Sequence, residues 1–274
     1  KYPCFLILLK GMDYKMFKNE FQRSLTRKST LVVLVIVLLI AVFEVLTNSV
    51  IYLDGNDFWD YPMGSYSWWF IYHQNIYQSI LSVLFPLLVS LGYSDSYIED
   101  IKSGFLNNVL IRQYKSKYLV NKFLVNFIVG GIIVFVPLVV NLLLYLILVP
   151  NIDLNVFFGS VLVQNFFPDL YIDYPFIHVM FKIFIFILYG GTFASIGLAS
   201  SIFIKNRYVV VIIPFLIYTL LDVVLSSINL RKGSPLFILF YDQPYNIIIF
   251  IIPMFMLCIT FLLFFIGGKF NEEV

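Results

Sequence analysis

The stretch DSYIEDIKSGFLNNVLIRQYKSKYLVNKFLVN, residues 95–126, is the only long polar segment that lies between two apolar runs of membrane-spanning length. It holds five of the eighteen basic residues of the chain. At helical spacing its apolar residues share one side and its polar residues share the other. The apolar side comprises Ile98, Ile101, Phe105 and Val109 with Leu106 and Leu110 beside them, and the polar side comprises Glu99, Asp100, Lys102, Asn107 and Asn108. The stretch therefore predicts an amphipathic helix at a membrane surface, followed by a basic turn.

The rest of the chain has the composition of a membrane protein. Its 274 residues are 61% hydrophobic and 12% charged, and the mean hydropathy is +0.91. A helix needs about 20 largely apolar residues to cross about 30 Å of hydrocarbon. Runs of this length predict an all-α membrane protein with six transmembrane helices, at about residues 29–52, 72–93, 123–149, 178–204, 208–226 and 247–267.

These runs divide the chain into three parts. Residues 1–28 form a basic amphipathic N-terminal segment, in which a helix over residues 10–28 is predicted to lie on the membrane; a disordered basic lead is the alternative. Residues 29–267 form the six-span domain, and residues 268–274 form a cytoplasmic tail. The apolar piece over residues 236–241 is too short to cross and is predicted to be re-entrant or interfacial.

The basic residues near the spans set the orientation. If the N-terminus is cytoplasmic, fifteen of the eighteen lie on the inner side, and only Lys182, Arg231 and Lys232 lie outside. The opposite orientation would reverse this distribution. The sequence therefore predicts that both termini are cytoplasmic and that the stretch at residues 95–122 faces the cytoplasm.

Catalytic and metal-binding patterns are absent from the sequence. There is no GxxxxGK[ST] phosphate-binding loop, no HExxH and no GxSxG, so no catalytic residue, metal site or bound cofactor is predicted in this chain. Cys4 and Cys258 are far apart and have no metal or redox spacing. The basic clusters adjoin spans, which favours membrane lipid or a protein partner over nucleic acid.

The order of features around residues 95–126 resembles the ABC-2 type of ABC-transporter permease. Acidic residues follow the second span, and Ser103-Gly104 precedes a short apolar helix and a basic turn. Tyr118-Leu119 and Lys122 then open the third span. The resemblance implies that this stretch is a coupling helix that docks on an ABC ATPase subunit, which binds ATP and magnesium. It also implies that a second permease copy or a homologous permease completes the substrate path.

The resemblance and the predicted inner loops together give a set of ATPase-coupling residues. This set is Glu99, Asp100, Gly104, Asn107, Arg112, Lys117, Lys205 and Arg207. The alternative for the stretch is a solvated loop whose basic residues only fix topology. At the level of the whole chain, the alternative is a secondary carrier or channel that needs no ATPase. The aromatic outer loops favour an amphiphilic peptide or a lipid over an ion as the substrate of an exporter.

Three charges fall inside predicted spans, namely Glu44, Lys182 and Asp222. A lone charge near a helix centre costs about 2.5–3.5 kcal/mol on insertion scales, so such residues usually pair or face a wet cavity. Lys182 is predicted to pair with Glu44 or Asp222, the alternatives being a snorkelling lysine and protonated carboxyl groups. On span 4, Gly190, Ala194, Gly197 and Ser201 recur at helical spacing and predict close helix packing.

Overall fold

The computed structural model describes residues 14–53, 64–72, 75–149, 151, 168–240 and 248–270. Within these ranges the chain is helical with short connections, and no β-strand occurs. Six helices are long and apolar enough to cross a membrane, which confirms the predicted number of spans. They are α2 (Lys28–Leu53), α4 (Ile76–Tyr93), α7 (Lys115–Leu148), α9 (Pro175–Ser200), α10 (Arg207–Ser227) and α12 (Ile248–Phe270).

Shorter helices lie at the ends of this bundle. They are α1 (Tyr14–Thr26), α3 (Ser65–Trp68), α5 (Ser96–Lys102), α6 (Phe105–Leu110), α8 (Pro168–Asp173) and α11 (Pro235–Phe240). The predicted start of the third span at residue 123 is wrong, because α7 begins at Lys115. The first two turns of this helix are polar at several positions and were therefore predicted to lie in the loop.

Helix α9 is the centre of the bundle and packs against α4, α7, α10 and α12. Its contact with α7 is close because glycines face each other: a Cβ atom built on Gly130 would lie 2.8 Å from the carbonyl oxygen of Gly190. A Cβ atom built on Gly197 would lie 2.7 Å from the Cβ atom of Ser94, which caps the end of α4. The predicted small-residue side of span 4 is therefore confirmed as a packing surface.

The helix predicted in the N-terminal segment is present as α1, which packs along α7 and also contacts α2. Its position relative to the membrane stays a prediction. Phe17 and Phe21 pack against the main hydrophobic core, and Glu20 and Ser24 are buried. The reason is that the polar residues of α1 find charged partners inside the protein. We call the end of the bundle that holds α1, α5 and α6 the α1 end.

The short helix α11 lies at the other end of the bundle, against α4, α9 and α10. Ile238, Leu239 and Phe240 are buried, and the carbonyl oxygen of Phe240 accepts a hydrogen bond from Gln78 on α4 at 3.0 Å. The non-crossing piece predicted at residues 236–241 is thus a short helix covered by protein. Tyr241 lies outside the described residues.

Candidate functional site

The segment between α4 and α7 consists of two short helices rather than one amphipathic helix. Gly104 separates α5 from α6 and has a left-handed backbone, with φ of 71°, which is a conformation that glycine adopts at low cost. This break changes the helical phase, yet most of the predicted apolar side still packs in one hydrophobic cluster, which includes Ile101, Leu106, Val109 and Leu110. Ile98 and Leu106 are buried, whereas Phe105 is more than a third exposed.

Asp100 was predicted to lie on the exposed polar side, and this prediction is wrong. The side chain is fully buried and accepts hydrogen bonds at 2.6 Å from Lys122 Nζ and from the hydroxyl of Tyr118, both on α7. Arg23 on α1 also forms an ion pair with Asp100. The carboxylate thus fastens α5 to two other helices.

Lys122 is the centre of this arrangement. Its ammonium group lies 2.6 Å from Glu20 Oε1 as well as 2.6 Å from Asp100 Oδ2, and it is fully buried. The hydroxyl of Tyr93 on α4 donates to Glu20 at 2.6 Å. We call Glu20, Arg23, Asp100 and Lys122 the buried charge cluster. It contains two acids and two bases, and the close pairing offsets part of the cost of removing charges from water.

A second ionic contact lies beside the cluster, at the start of α2. The guanidinium of Arg27 is bidentate on Asp95, with N–O distances of 2.7 and 2.9 Å, and also lies 2.8 Å from Glu99. Burial lowers the pKa of Arg27, but the hydrogen bond and charge of Asp95 and the charge of Glu99 outweigh it, so the pKa is raised. The same balance raises the pKa of Arg23 beside Asp100. Both arginines therefore remain charged.

The side of α5 and α6 that faces away from the bundle is exposed, in contrast to the buried charge cluster on their other side. Ile111 and Tyr114 are 83% and 78% exposed, although both are large and lie in the turn that precedes α7. We call this face the exposed loop surface. It comprises Glu99, Lys102, Asn107, Asn108, Ile111, Arg112 and Tyr114.

Most of the predicted coupling residues lie at or near this surface. Glu99, Asn107 and Arg112 belong to it, Lys117 is half-buried in the first turn of α7, and Gly104 forms the turn beneath it. Lys205 and Arg207 are exposed at the turn between α9 and α10. Arg207 lines the same groove as Asp95, which directly precedes α5, so this second turn lies near α5. Asp100 is the exception, as described above.

Sequence reasoning missed Glu20, Arg23 and Lys122 as members of one site. The available signal was the spacing of polar residues in an apolar helix: Tyr118, Lys122 and Asn126 recur every four residues and so share one side of α7. All three are buried. The partners on α1 could not be identified from sequence, because nothing local relates residue 20 to residue 122.

The three charges predicted inside spans do not pair as expected. Among the described residues, no ion pair joins Lys182 with Glu44 or with Asp222. Lys182 Nζ donates to the carbonyl oxygen of Ile238 on α11 at 3.2 Å. Asp222 accepts from the hydroxyl of Ser234 at 2.6 Å. The segment that follows α10 thus supplies both partners, Ile238 and Ser234, which the predicted pairing did not include.

Glu44 is fully buried and surrounded by neutral donors. Its Oε1 accepts from Asn48 at 2.7 Å, Asn75 at 2.8 Å and Tyr145 at 2.9 Å, and its Oε2 accepts from Asn141 at 2.7 Å. The amide oxygen of Asn75 accepts from the backbone N–H of Gln78, and that of Asn141 accepts from the backbone N–H of Phe70. These backbone donors fix both amides with their NH₂ groups toward Glu44, so the site suits a carboxylate.

This geometry gives a direct test of the charge state. Glu44→Gln should lower the free energy of unfolding by about 1–3 kcal/mol, because one buried donor would face the new amide NH₂ group without an acceptor. Thermal unfolding of the purified protein in detergent would measure this, with the exposed Thr47→Ala on the same helix as control. If Glu44→Gln were as stable as the parent, Glu44 would be a protonated acid.

Comparisons of the chain with models of protein families, with curated proteins and with solved structures each find no match.

Proposed function

We propose that this protein is the transmembrane permease subunit of an ATP-driven ABC exporter, with the exposed loop surface as its docking site for a separate ATPase subunit. The observation that carries the proposal is the contrast between the two sides of α5 and α6. On the side that faces the bundle, Asp100 holds α5 to α1 and α7. On the side that faces away from the bundle, Ile111 and Tyr114 are exposed. A loop that only fixed topology would need neither feature.

The buried charge cluster explains how a push on this surface would reach the membrane. Asp100 joins α5 to Lys122 on α7, and Lys122 joins α7 to Glu20 on α1. Helix α5 continues directly from α4 with one intervening turn. A displacement of the loop by the closing ATPase would therefore move the second and third spans and α1 together, and would not be absorbed by a flexible connection.

The partners in this proposal rest on the resemblance stated above, and the orientation and the substrate class rest on the distribution of basic and aromatic residues. The α1 end faces the cytoplasm, the ATPase partner binds ATP and magnesium, and a second permease copy or a homologous permease completes the path. The location is the cell membrane, and the substrate class is an amphiphilic peptide or a lipid. The excess of basic residues on the loops of the α1 end supports this orientation.

The docking site can be tested with a variant that changes only exposed groups. Ile111→Ser, Arg112→Glu and Tyr114→Ser together should reduce association with the ATPase at least tenfold, because an exposed aromatic anchor at an interface commonly contributes about 2 kcal/mol. The measurement is purification of the tagged chain from its own host's membranes, with identification of co-purifying chains that contain a GxxxxGK[ST] loop. ATP hydrolysis of the complex gives the second readout.

The matched control is Lys18→Glu with Lys269→Glu, which reverses two exposed positive charges of the same end outside the exposed loop surface. This control also detects any effect of charge on topology. Equal recovery and activity of the ATPase with the parent and the triple variant would refute docking at this surface. Absence of any chain with a phosphate-binding loop from the parent preparation would refute the exporter proposal and favour a secondary carrier or channel.

A further inference from the structure

A groove of about 420 Å³ opens between α2, α4 and α10 at the α1 end. Its volume is within the range of ligand sites, which is about 300–1,000 Å³. Its inner wall is closed where α10 contacts α4: the hydroxyl of Ser90 donates to the carbonyl oxygen of Val211 at 2.7 Å. The groove is therefore open to the outside of the bundle and not to its centre.

The floor of the groove is apolar and lies within the spanning part of the bundle. It is formed by Leu87 and Leu91 of α4 and by Val211 and Ile212 of α10. Ile212 is 42% exposed, so this floor faces the surroundings of the helices, which in a membrane are lipid chains. An acyl chain is the ligand that such a floor accommodates without leaving polar groups unpaired.

The rim of the groove is polar and carries both signs of charge. Arg207 and the hydroxyl of Tyr208 lie at the start of α10, and Arg27 and Asp95 lie across from them. Glu99 adds a second carboxylate to the rim, because it forms an ion pair with Arg27. Two guanidinium groups and two carboxylates give a rim with no net charge. Such a rim matches a headgroup that itself carries one positive and one negative charge better than it matches an anion.

The distance between the rim and the floor matches the distance between the headgroup and the upper acyl chains of a phospholipid. Arg207 is the first residue of a spanning helix, and Val211 and Ile212 follow it by four and five residues, or about 6–8 Å along the axis. A headgroup at Arg207 would therefore place the upper part of its acyl chains beside the apolar floor. Arg207 is bonded to the neighbouring hydroxyl of Tyr208 and is otherwise exposed, so it is accessible to a phosphate group.

We propose that this groove is a binding site for a zwitterionic phospholipid with a primary ammonium group, of the phosphatidylethanolamine class. The phosphate group contacts Arg207 and the hydroxyl of Tyr208. The ammonium group donates to the carboxylates of Asp95 and Glu99, which keep acceptor positions beyond those that Arg27 uses. One acyl chain lies on Leu91 and Ile212. The site is formed by a single chain and does not depend on the proposed ATPase partner.

The proposal is tested on the purified full chain by native mass spectrometry with added phospholipids of identical acyl chains. The lipids are phosphatidylethanolamine, its dimethylated form, phosphatidylcholine and phosphatidylglycerol. Phosphatidylethanolamine should bind about tenfold more tightly than phosphatidylcholine, which has no ammonium N–H to donate to the two carboxylates, and the dimethylated form should be intermediate. Arg207→Gln should weaken binding of all four lipids.

A matched pair of tryptophan variants locates the site. Ile212→Trp fills the groove and should reduce phosphatidylethanolamine binding about tenfold, whereas Leu262→Trp, at an exposed position of α12, a helix that does not line the groove, should leave it unchanged. Preference for phosphatidylglycerol would overturn the proposal in favour of a simple anion site. Equal binding to both tryptophan variants would also overturn it, because the lipid would then bind elsewhere. Loss of a dimer in Ile212→Trp with unchanged lipid binding would assign the groove to a second copy instead.

Discussion

Gly130→Leu is expected to abolish the folded bundle, and it is one of the two largest effects that the structure predicts. A Cβ atom at this position would lie 2.5 Å from the Cβ of Ala194 and 2.8 Å from the carbonyl oxygen of Gly190, both on α9. Backbone and a methyl group cannot rotate away as a long side chain can. The two helices would have to separate along the most extensive helix contact among the described residues, at a cost above about 3 kcal/mol.

The measurement is the fraction of protein that elutes as a monodisperse species in detergent, together with its midpoint of thermal unfolding. Gly233→Leu is the matched control, because a Cβ atom at Gly233 would have its nearest neighbour at 3.9 Å. A Gly130→Leu protein that elutes and unfolds like the parent would show that α7 and α9 are not packed through their glycines.

Lys122→Met is expected to destabilise the protein by about 3–5 kcal/mol, because it leaves two buried carboxylates, those of Glu20 and Asp100, with Arg23 as their remaining basic partner. Methionine matches the length of the lysine stem, so the loss arises from charge and not from a cavity. Thermal unfolding in detergent measures the change. Lys117→Met, on the same helix but half-buried, should have an effect below about 1 kcal/mol.

A double variant separates loss of the ion pair from a general effect on folding. Lys122→Met with Glu20→Gln leaves Arg23 and Asp100 as a balanced pair, so part of the lost stability should return. If the double variant were less stable than Lys122→Met alone by the full effect of Glu20→Gln, the two residues would act independently. The buried charge cluster would then not be a unit.

The spans could be predicted from the sequence because their signal is local. Twenty consecutive apolar residues can satisfy their backbone in a membrane only as a helix. Gly190, Ala194 and Gly197 likewise share one side of a helix by spacing alone, and their close packing is observed. The ends of the helices were less predictable where a helix includes polar residues, as at the start of α7. Lys115 and Lys117 are part of that helix although their side chains are not apolar.

The site could be predicted only in part, because its burial depends on distant residues. Asp100 and Glu99 are adjacent and chemically alike, yet one is fully buried and the other is 53% exposed. Their burial differs because Lys122 and Arg23 lie beside Asp100. Neither basic residue belongs to residues 95–110, so the helical pattern of that stretch could not predict the difference. Three of the four donors around Glu44 have the same origin, since Asn75 caps α4 and Asn141 and Tyr145 lie on α7, distant in sequence from α2.

The ion pair between Glu20 and Lys122 joins residues that are 102 positions apart, and this has a consequence for synthesis. A ribosome makes α1 before α7, so the carboxylate of Glu20 has no lysine partner until the first turns of the third span have been made. Until α1 docks, Lys122 is a charged side chain in a nascent third span without one of its two acids. Docking of α1 on Lys122 is therefore possible only after the third span has begun, and a product that stops before residue 122 would leave the carboxylate of Glu20 without its lysine partner.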